Sequence, residues 1–146
     1  MRALGVDLGS KRIGIAVSDP SGTIASPLSV VIRSKSGRRD LGEIARIARA
    51  EEVELIVVGL PLTLRGEVGH AAKAAIAEAA RLATVVDVPV ETHDERLTTV
   101  TAERSMIEAG MRSEERRRVV DKVAAAVMLQ SWLDARRAAS AQQGPT

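Results

Sequence analysis

Apolar residues in the first part of the chain form three short runs that predict β-strands. The runs cover Ala3 to Leu8, Arg12 to Ser18 and Thr23 to Ile32. The break Gly9-Ser10-Lys11 between the first two runs is short enough for a hairpin, so the three runs predict an antiparallel meander. Pro27 cannot donate a hydrogen bond to a neighbouring strand, which places the third strand at a sheet edge or at a bulge.

Further along the chain, helical and extended patterns alternate. Apolar residues at helical spacing predict helices over 38–52, 68–83, 98–109 and 114–138, and β-branched runs predict strands over 54–59 and 88–93. The run ELIVVG in the first of these strands is apolar throughout, which is typical of a parallel strand buried on both faces. We therefore expect an α/β fold with a mixed five-stranded sheet, in which parallel strands extend the meander and helices cover both faces.

Length and composition are those of one domain. The chain has 146 residues, of which 45% are hydrophobic and 27% charged, so we expect a single domain over residues 1–138. Residues 139–146 end in SAQQGPT and predict a disordered tail. No run approaches the roughly 18 apolar residues of a membrane span, and the N-terminus has no leader pattern. The sequence thus predicts a soluble cytoplasmic protein with no membrane partner.

Composition also narrows the chemistry. The absence of cysteine excludes disulfide frameworks, thiolate zinc sites and thiol nucleophiles, and the two histidines are too few for a metal site built on imidazole. A metal would therefore be a hard cation held by carboxylate oxygens. With one Trp and no Phe or Tyr, the chain lacks the aromatic platforms on which single-strand binders stack bases. Nucleic acid would have to be bound through its backbone.

Three acidic residues interrupt the apolar pattern. Asp7 lies inside the first strand, where an ionised carboxylate is costly to bury without a partner. Asp121 lies on the apolar stripe of the final helix, and Glu95 follows the strand that ends in THD. Each acid also has a structural explanation. Backbone amides at the Gly9 turn would satisfy Asp7. Asp121 would cap a helix or form an ion pair with Lys122 or with an Arg of another element. Glu95 would be an ordinary surface acid.

Taken together, the three acids predict a metal site at one edge of the sheet. Converging carboxylates repel one another, and a pair of divalent cations, Mg²⁺ or Mn²⁺, removes that repulsion. Two such ions about 4 Å apart activate a water molecule and stabilise the leaving oxygen of a phosphodiester. Lys11, Arg12 and Arg96 flank the acids and would bind non-bridging phosphate oxygens. The predicted chemistry is metal-assisted hydrolysis of a phosphodiester, without a covalent intermediate.

Four segments of the chain resemble the YqgF/RuvX family, in the same order and at similar separations. They are DLGSKRIGIAVSD (7–19), VVGLPLTLRG (57–66), DERLTTVTAE (94–103) and DKVAAAVMLQSWLD (121–134). The resemblance covers about residues 1–137 and implies an RNase H-like fold with a Mg²⁺- or Mn²⁺-dependent endonuclease site. The implied metal ligands are Asp7, Glu95 and Asp121, and the implied substrate contacts are Lys11, Arg12 and Arg96.

The resemblance also bears on the substrate and the partners. It implies either cytoplasmic processing of pre-16S rRNA in ribosome biogenesis or a Holliday junction resolvase-like activity on branched DNA. Ala124 stands where junction resolvases carry a second acid one helical turn after Asp121, which weakens the DNA interpretation. Arg65 stands where many relatives have an acidic or small polar residue, so the contacts of the GLPLTLRG loop stay open. A homodimer and ribosomal or helicase partners are likewise left open.

Two other classes of protein share parts of this pattern. Nucleotide-binding proteins of the actin or sugar-kinase type contain a DxG segment, but they clamp ATP between two lobes, and 146 residues allow one. A catalytically silent RNA-binding assembly factor would keep the fold without the activity. The presence of all three acids argues against that alternative, and the absence of cleavage on every structured substrate would favour it.

Overall fold

The computed structural model describes residues 1–61, 69–94 and 114–143. Within these ranges the chain forms five strands and three helices. They are β1 Ala3–Leu8, β2 Arg12–Ser18, β3 Ala25–Ile32, α1 Gly37–Ala50, β4 Leu55–Leu60, α2 His70–Ala83, β5 Val90–Asp94 and α3 Glu114–Gln143. Every element that the sequence predicts in these ranges is present, and apart from the end of α3 the bounds differ by at most two residues. The helix predicted over 98–109 lies outside the described residues.

The strands form one mixed sheet in the order β3-β2-β1-β4-β5. The first three strands of the chain pair antiparallel, whereas β4 pairs parallel with β1, and β5 parallel with β4. This confirms the predicted meander extended by parallel strands. Pro27 lies on the edge strand β3 at a shift in register opposite Ile15 and Ala16. It therefore lies both at an edge and at an irregularity, the two settings that tolerate a missing donor.

Successive side chains along each strand point to opposite faces of the sheet, so the hydrophobic core has two parts, one on each face. One face packs against α1 and α2, and its core includes Leu4, Val6, Ile13, Ile15, Ile56 and Val58 from the strands with Ile44 and Leu82 from the helices. The other face packs against α3, and its core includes Ala3, Ala16, Leu55 and Val57 with Ala125, Met128 and Leu129. Helices therefore cover both faces, as the sequence predicts.

Glycine allows α3 to lie close to the sheet at two positions. A Cβ added to Gly5 would be 2.8 Å from the Leu129 Cβ, and one added to Gly14 would overlap the carbonyl oxygen of Asp121. A residue with a side chain would push the helix away at either position. The contact at Gly14 holds the N-terminal half of α3 over the start of β2, next to the turn between β1 and β2.

The end of α3 differs from the prediction. The sequence predicts a helix that ends at residue 138 and a disordered tail over 139–146, but the helix continues to Gln143, so residues 139–143 are helical. The polar composition of this segment fits an exposed helix, because residues 134–141 of α3 are exposed. Alanine has the highest helix propensity, and extending an existing helix requires no new nucleus. The division into a single domain over residues 1–138 and a tail over 139–146 stays a prediction.

Charged residues occur along the helices, for example in α1 and α3. In the part of the chain that the structure describes, no helix is both long enough and apolar enough to cross a membrane.

Candidate active site

Asp7 is buried on the face of the sheet that α3 covers. It follows Ala3 and Gly5 along β1 with a period of two residues, and both of these pack beneath α3. The residue is only 5% exposed. In the β1–β2 hairpin Asp7 pairs with Gly14, the glycine on which the Asp121 carbonyl lies. The hairpin register and the packing of α3 therefore bring Asp7 and Asp121 together at the carboxyl end of β1.

Asp121 is buried beside Arg12. The residue is 7% exposed, and its Oδ2 accepts a hydrogen bond from Arg12 Nε at 2.5 Å. The Arg12 side chain is 13% exposed, so the pair is largely shielded from solvent, and removing one partner would leave a buried charge uncompensated. This is the ion pair with an Arg of another element that the sequence offered as the structural explanation of Asp121. The predicted role of Arg12 as a substrate contact stays a prediction.

Of the other predicted site residues, Lys11 is the one that the structure describes. Lys11 is exposed in the turn between β1 and β2, next to Arg12. Glu95 and Arg96 lie outside the described residues. Their predecessor Asp94 ends β5, which runs parallel to β4 and so has its carboxyl end at the same edge as that of β1.

The described acids match the chemistry of a hard divalent cation. Asp7 and Asp121 supply carboxylate oxygens, the ligands that Mg²⁺ and Mn²⁺ prefer, from positions that packing holds in place. Within residues 1–61, 69–94 and 114–143, no group of three or more histidines, aspartates or glutamates could hold a metal ion. The third predicted ligand, Glu95, falls outside these ranges. A cation at Asp121 would compete with the Arg12 guanidinium for the same carboxylate.

His93 is a buried polar residue whose contact with α3 could not be predicted from the sequence. It is 8% exposed, and its Nε2 lies 3.0 Å from the Ser131 Oγ of α3. Burial lowers the pKa of His93, and the charge of Asp94 opposes this shift only in part, so the imidazole is neutral at pH 7. His93 thus joins the end of β5, two residues before Glu95, to α3. The THDE segment contained the histidine, but its partner lies on a distant helix that no local pattern identifies.

The buried neutral histidine makes stability depend on pH. Because burial places the pKa of His93 below its ordinary value of 6.5, the unfolded chain takes up the proton first as the pH falls. The stabilisation is complete above the unfolded-state pKa and is lost as the pH falls through the folded-state value. We expect the Tm to decrease from about pH 7 to about pH 5, and we expect His93→Gln to flatten this decrease in thermal melts followed by circular dichroism.

His70 provides the matched control for this measurement. It is exposed at the start of α2, so His70→Gln should retain the pH dependence of the unsubstituted protein. Equal slopes of Tm against pH for the unsubstituted protein and for His93→Gln would contradict the assignment of this pH dependence to His93.

Comparison with known sequences gives close matches along nearly the whole chain. Residues 1–135 match the family model described as RuvX, Holliday junction resolvase. A protein of Mycobacterium sp. (strain KMS) is 49% identical over 144 residues, covering 98% of this chain and 85% of the relative. A protein of Nocardia farcinica (strain IFM 10152) is 49% identical over 143 residues, covering 94% of this chain and 79% of the relative. Both relatives carry the name "Putative pre-16S rRNA nuclease".

Solved structures support the fold. RuvC of Thermus thermophilus in complex with a Holliday junction substrate matches with a TM-score of 0.57 at 20% identity, covering 94% of this chain and 96% of that one. A second structure of the same RuvC gives a TM-score of 0.55 at 18% identity, with 94% and 97% coverage. These likenesses confirm the predicted RNase H-like α/β fold. The sequence matches confirm the resemblance seen in the four segments, and they establish that the chain belongs to the RuvX (YqgF) family.

Proposed function

We propose that the protein is a metal-dependent endonuclease that hydrolyses phosphodiester bonds in structured RNA, with pre-16S rRNA as its substrate. The observation that carries the proposal is the meeting of Asp7 and Asp121 at the carboxyl end of β1, where both are buried. Two buried carboxylates at one edge of the sheet would supply the oxygen ligands that a divalent cation prefers. The names of the mycobacterial and nocardial relatives point to the same activity.

In this proposal Asp7 and Asp121 hold the cation, with Glu95 as the third ligand. When bound, a pair of Mg²⁺ or Mn²⁺ ions activates a water molecule and stabilises the leaving oxygen of the phosphodiester. The β1 ladder fixes the backbone of Asp7, and the contact of α3 with Gly14 fixes that of Asp121, so the backbones of both acids are positioned before substrate binds. Arg12 balances the charge of Asp121, and its guanidinium would also be suited to bind a phosphate oxygen of the substrate.

Contacts to the phosphate backbone would hold the substrate. Lys11 is exposed on the β1–β2 turn, and Lys35 and Arg38 are exposed just after β3, which ends beside the start of β2. These cations border the same edge of the sheet as the two acids. The single aromatic residue, Trp132, lies under the guanidinium of Arg136 in a groove at the opposite end of the sheet. This arrangement favours recognition of the RNA backbone and shape over base stacking.

Four-way DNA is the second candidate substrate, because the family description names a Holliday junction resolvase. The residue one turn after Asp121 on α3 bears on this choice. It is Ala124, which is buried and apolar, whereas the resemblance implies a second acid there in junction resolvases. The missing carboxylate favours RNA.

A side-by-side cleavage assay tests the proposal. The full chain is incubated with a precursor 16S rRNA fragment or with a four-way DNA junction, in Mg²⁺ or Mn²⁺ and at one salt concentration, because phosphate contacts make binding strongly salt-dependent. We expect the RNA to be cleaved at least about tenfold faster, a difference of about 1.4 kcal/mol in activation free energy, and EDTA to stop the reaction. Faster cleavage of the junction supports the second candidate. Folded protein that cleaves neither substrate in either metal contradicts the nuclease proposal.

A further inference from the structure

One arginine holds the turn between β1 and β2. Arg33, the residue directly after β3, donates a hydrogen bond from Nε to the Gly9 carbonyl at 2.6 Å. Its backbone N–H donates to the Lys11 carbonyl at 3.0 Å, and within the turn the Gly9 N–H donates to the Asp7 carbonyl at 3.1 Å. The backbone that links the predicted metal ligand Asp7 to the predicted substrate contact Lys11 is therefore fixed from β3 at two carbonyl groups.

Glu78 of α2 orients the Arg33 guanidinium. Its Oε2 accepts from Nη1 at 2.7 Å and its Oε1 accepts from Nη2 at 3.0 Å. The two side chains are 22% and 12% exposed, so the pair is partly protected from solvent. A two-pronged contact of this kind fixes the plane of the guanidinium as well as its position. It leaves Nε aimed at the Gly9 carbonyl.

We propose that Arg33 and Glu78 act as a positioning pair for the catalytic edge of the sheet. They hold the β1–β2 turn so that Asp7 and Lys11 keep the geometry that cation and phosphate binding require, and this role rests on the proposed nuclease function. Lysine cannot replace Arg33, because a point charge with one nitrogen cannot engage both Glu78 oxygens and the Gly9 carbonyl in one plane. Neither residue touches the substrate in this proposal, since both act through the turn.

A second ion pair of the same residue types provides a control. Arg2 Nη2 lies 3.2 Å from Glu51 Oε2, and the two side chains are 33% and 27% exposed. Arg2 precedes β1 and Glu51 follows α1, so this pair lies at the opposite end of the sheet from the turn. Arg2→Gln removes this single-contact, more exposed ion pair without altering a contact to Gly9 or Lys11.

The first experiment compares the kinetics of Arg33→Gln, Arg33→Lys, Glu78→Gln and Arg2→Gln on the precursor rRNA, well below the Tm of each variant. We expect Arg33→Gln to raise both the KM and the Mn²⁺ concentration for half-maximal rate by about tenfold or more, because small displacements in an active site have large kinetic effects. Arg33→Lys should recover little of this loss, and Glu78→Gln should give an intermediate effect. Arg2→Gln should leave both quantities within about twofold of the unsubstituted protein.

A second measurement does not depend on activity. We expect hydrogen exchange of the amides of residues 8–12 to become at least about tenfold faster in Arg33→Gln, because the turn opens more often once its hydrogen bond is lost. Arg2→Gln should not change it. If the kinetics of Arg33→Gln match those of Arg2→Gln while the unsubstituted protein cleaves RNA, the positioning role is overturned. If the unsubstituted protein cleaves nothing, the nuclease proposal fails, and hydrogen exchange still decides whether Arg33 holds the turn.

Discussion

Asp7→Asn is expected to abolish cleavage while leaving the fold intact. Asparagine is nearly the same size as aspartate and keeps a carbonyl oxygen, but it loses the negative charge that would hold a divalent cation. Because a bound ion supplies several kcal/mol of transition-state stabilisation, we expect the rate to fall by a factor on the order of 10³ or more. The measurement is single-turnover cleavage of the precursor rRNA at saturating Mn²⁺, with circular dichroism and RNA binding measured on the same sample.

Asp134→Asn is the matched control for this substitution. Asp134 accepts a hydrogen bond from Arg137 at 2.9 Å on the exposed part of α3, where both side chains are more than half exposed. Exposed pairs of this kind contribute little, so the rate should stay within about twofold of that of the unsubstituted protein. Full metal-dependent activity in Asp7→Asn would remove Asp7 from the site. A loss of helical signal would mean that the charge serves folding instead.

Gly14→Ala is expected to displace α3 and to lower both stability and activity. The added methyl group would overlap the backbone carbonyl oxygen of Asp121, and a helix backbone cannot rotate away as a side chain can. Overpacking of this kind costs about 1–3 kcal/mol, which corresponds to a decrease in Tm of roughly 3–10 °C. Because Asp121 moves with the helix relative to Asp7, we expect the cleavage rate to fall about a hundredfold. Thermal melts and single-turnover kinetics measure the two effects.

Gly42→Ala is the control for Gly14→Ala, because the same substitution should change the Tm in the opposite direction there. Gly42 is exposed in α1, and a Cβ at this position would meet nothing within 4 Å. Alanine favours the helix over glycine by about 1 kcal/mol, so the Tm should rise while cleavage is unchanged. Opposite shifts of the Tm in the two variants would show that the contact with α3 determines the effect of Gly14→Ala. A Gly14→Ala variant as stable and active as the unsubstituted protein would contradict the close packing.

Much of the fold could be predicted because its determinants are local. Period-two and continuous apolar runs identify strands, helical spacing identifies the faces that pack on the sheet, and the missing donor of Pro27 indicates an edge. Asp7 and Asp121 stood out for a similar reason, since a charge in an apolar pattern must be compensated when it is buried. The end of the last helix was predicted at residue 138 instead of Gln143 because a polar, alanine-rich segment has the same composition in an exposed helix as in a disordered end.

By itself, the sequence determined the types and order of the elements in the described residues, and it singled out Asp7 and Asp121, which are buried, because each depends on neighbours along the chain. Only the tertiary structure decided which groups meet. The sequence left the partner of Asp121 open, and the structure shows it to be Arg12. The tertiary structure also brings His93 of β5 into hydrogen-bonding distance of Ser131 of α3. Such contacts depend on strand register and on how closely a helix approaches the sheet, here on α3 lying directly over Gly14, and no local pattern encodes either quantity.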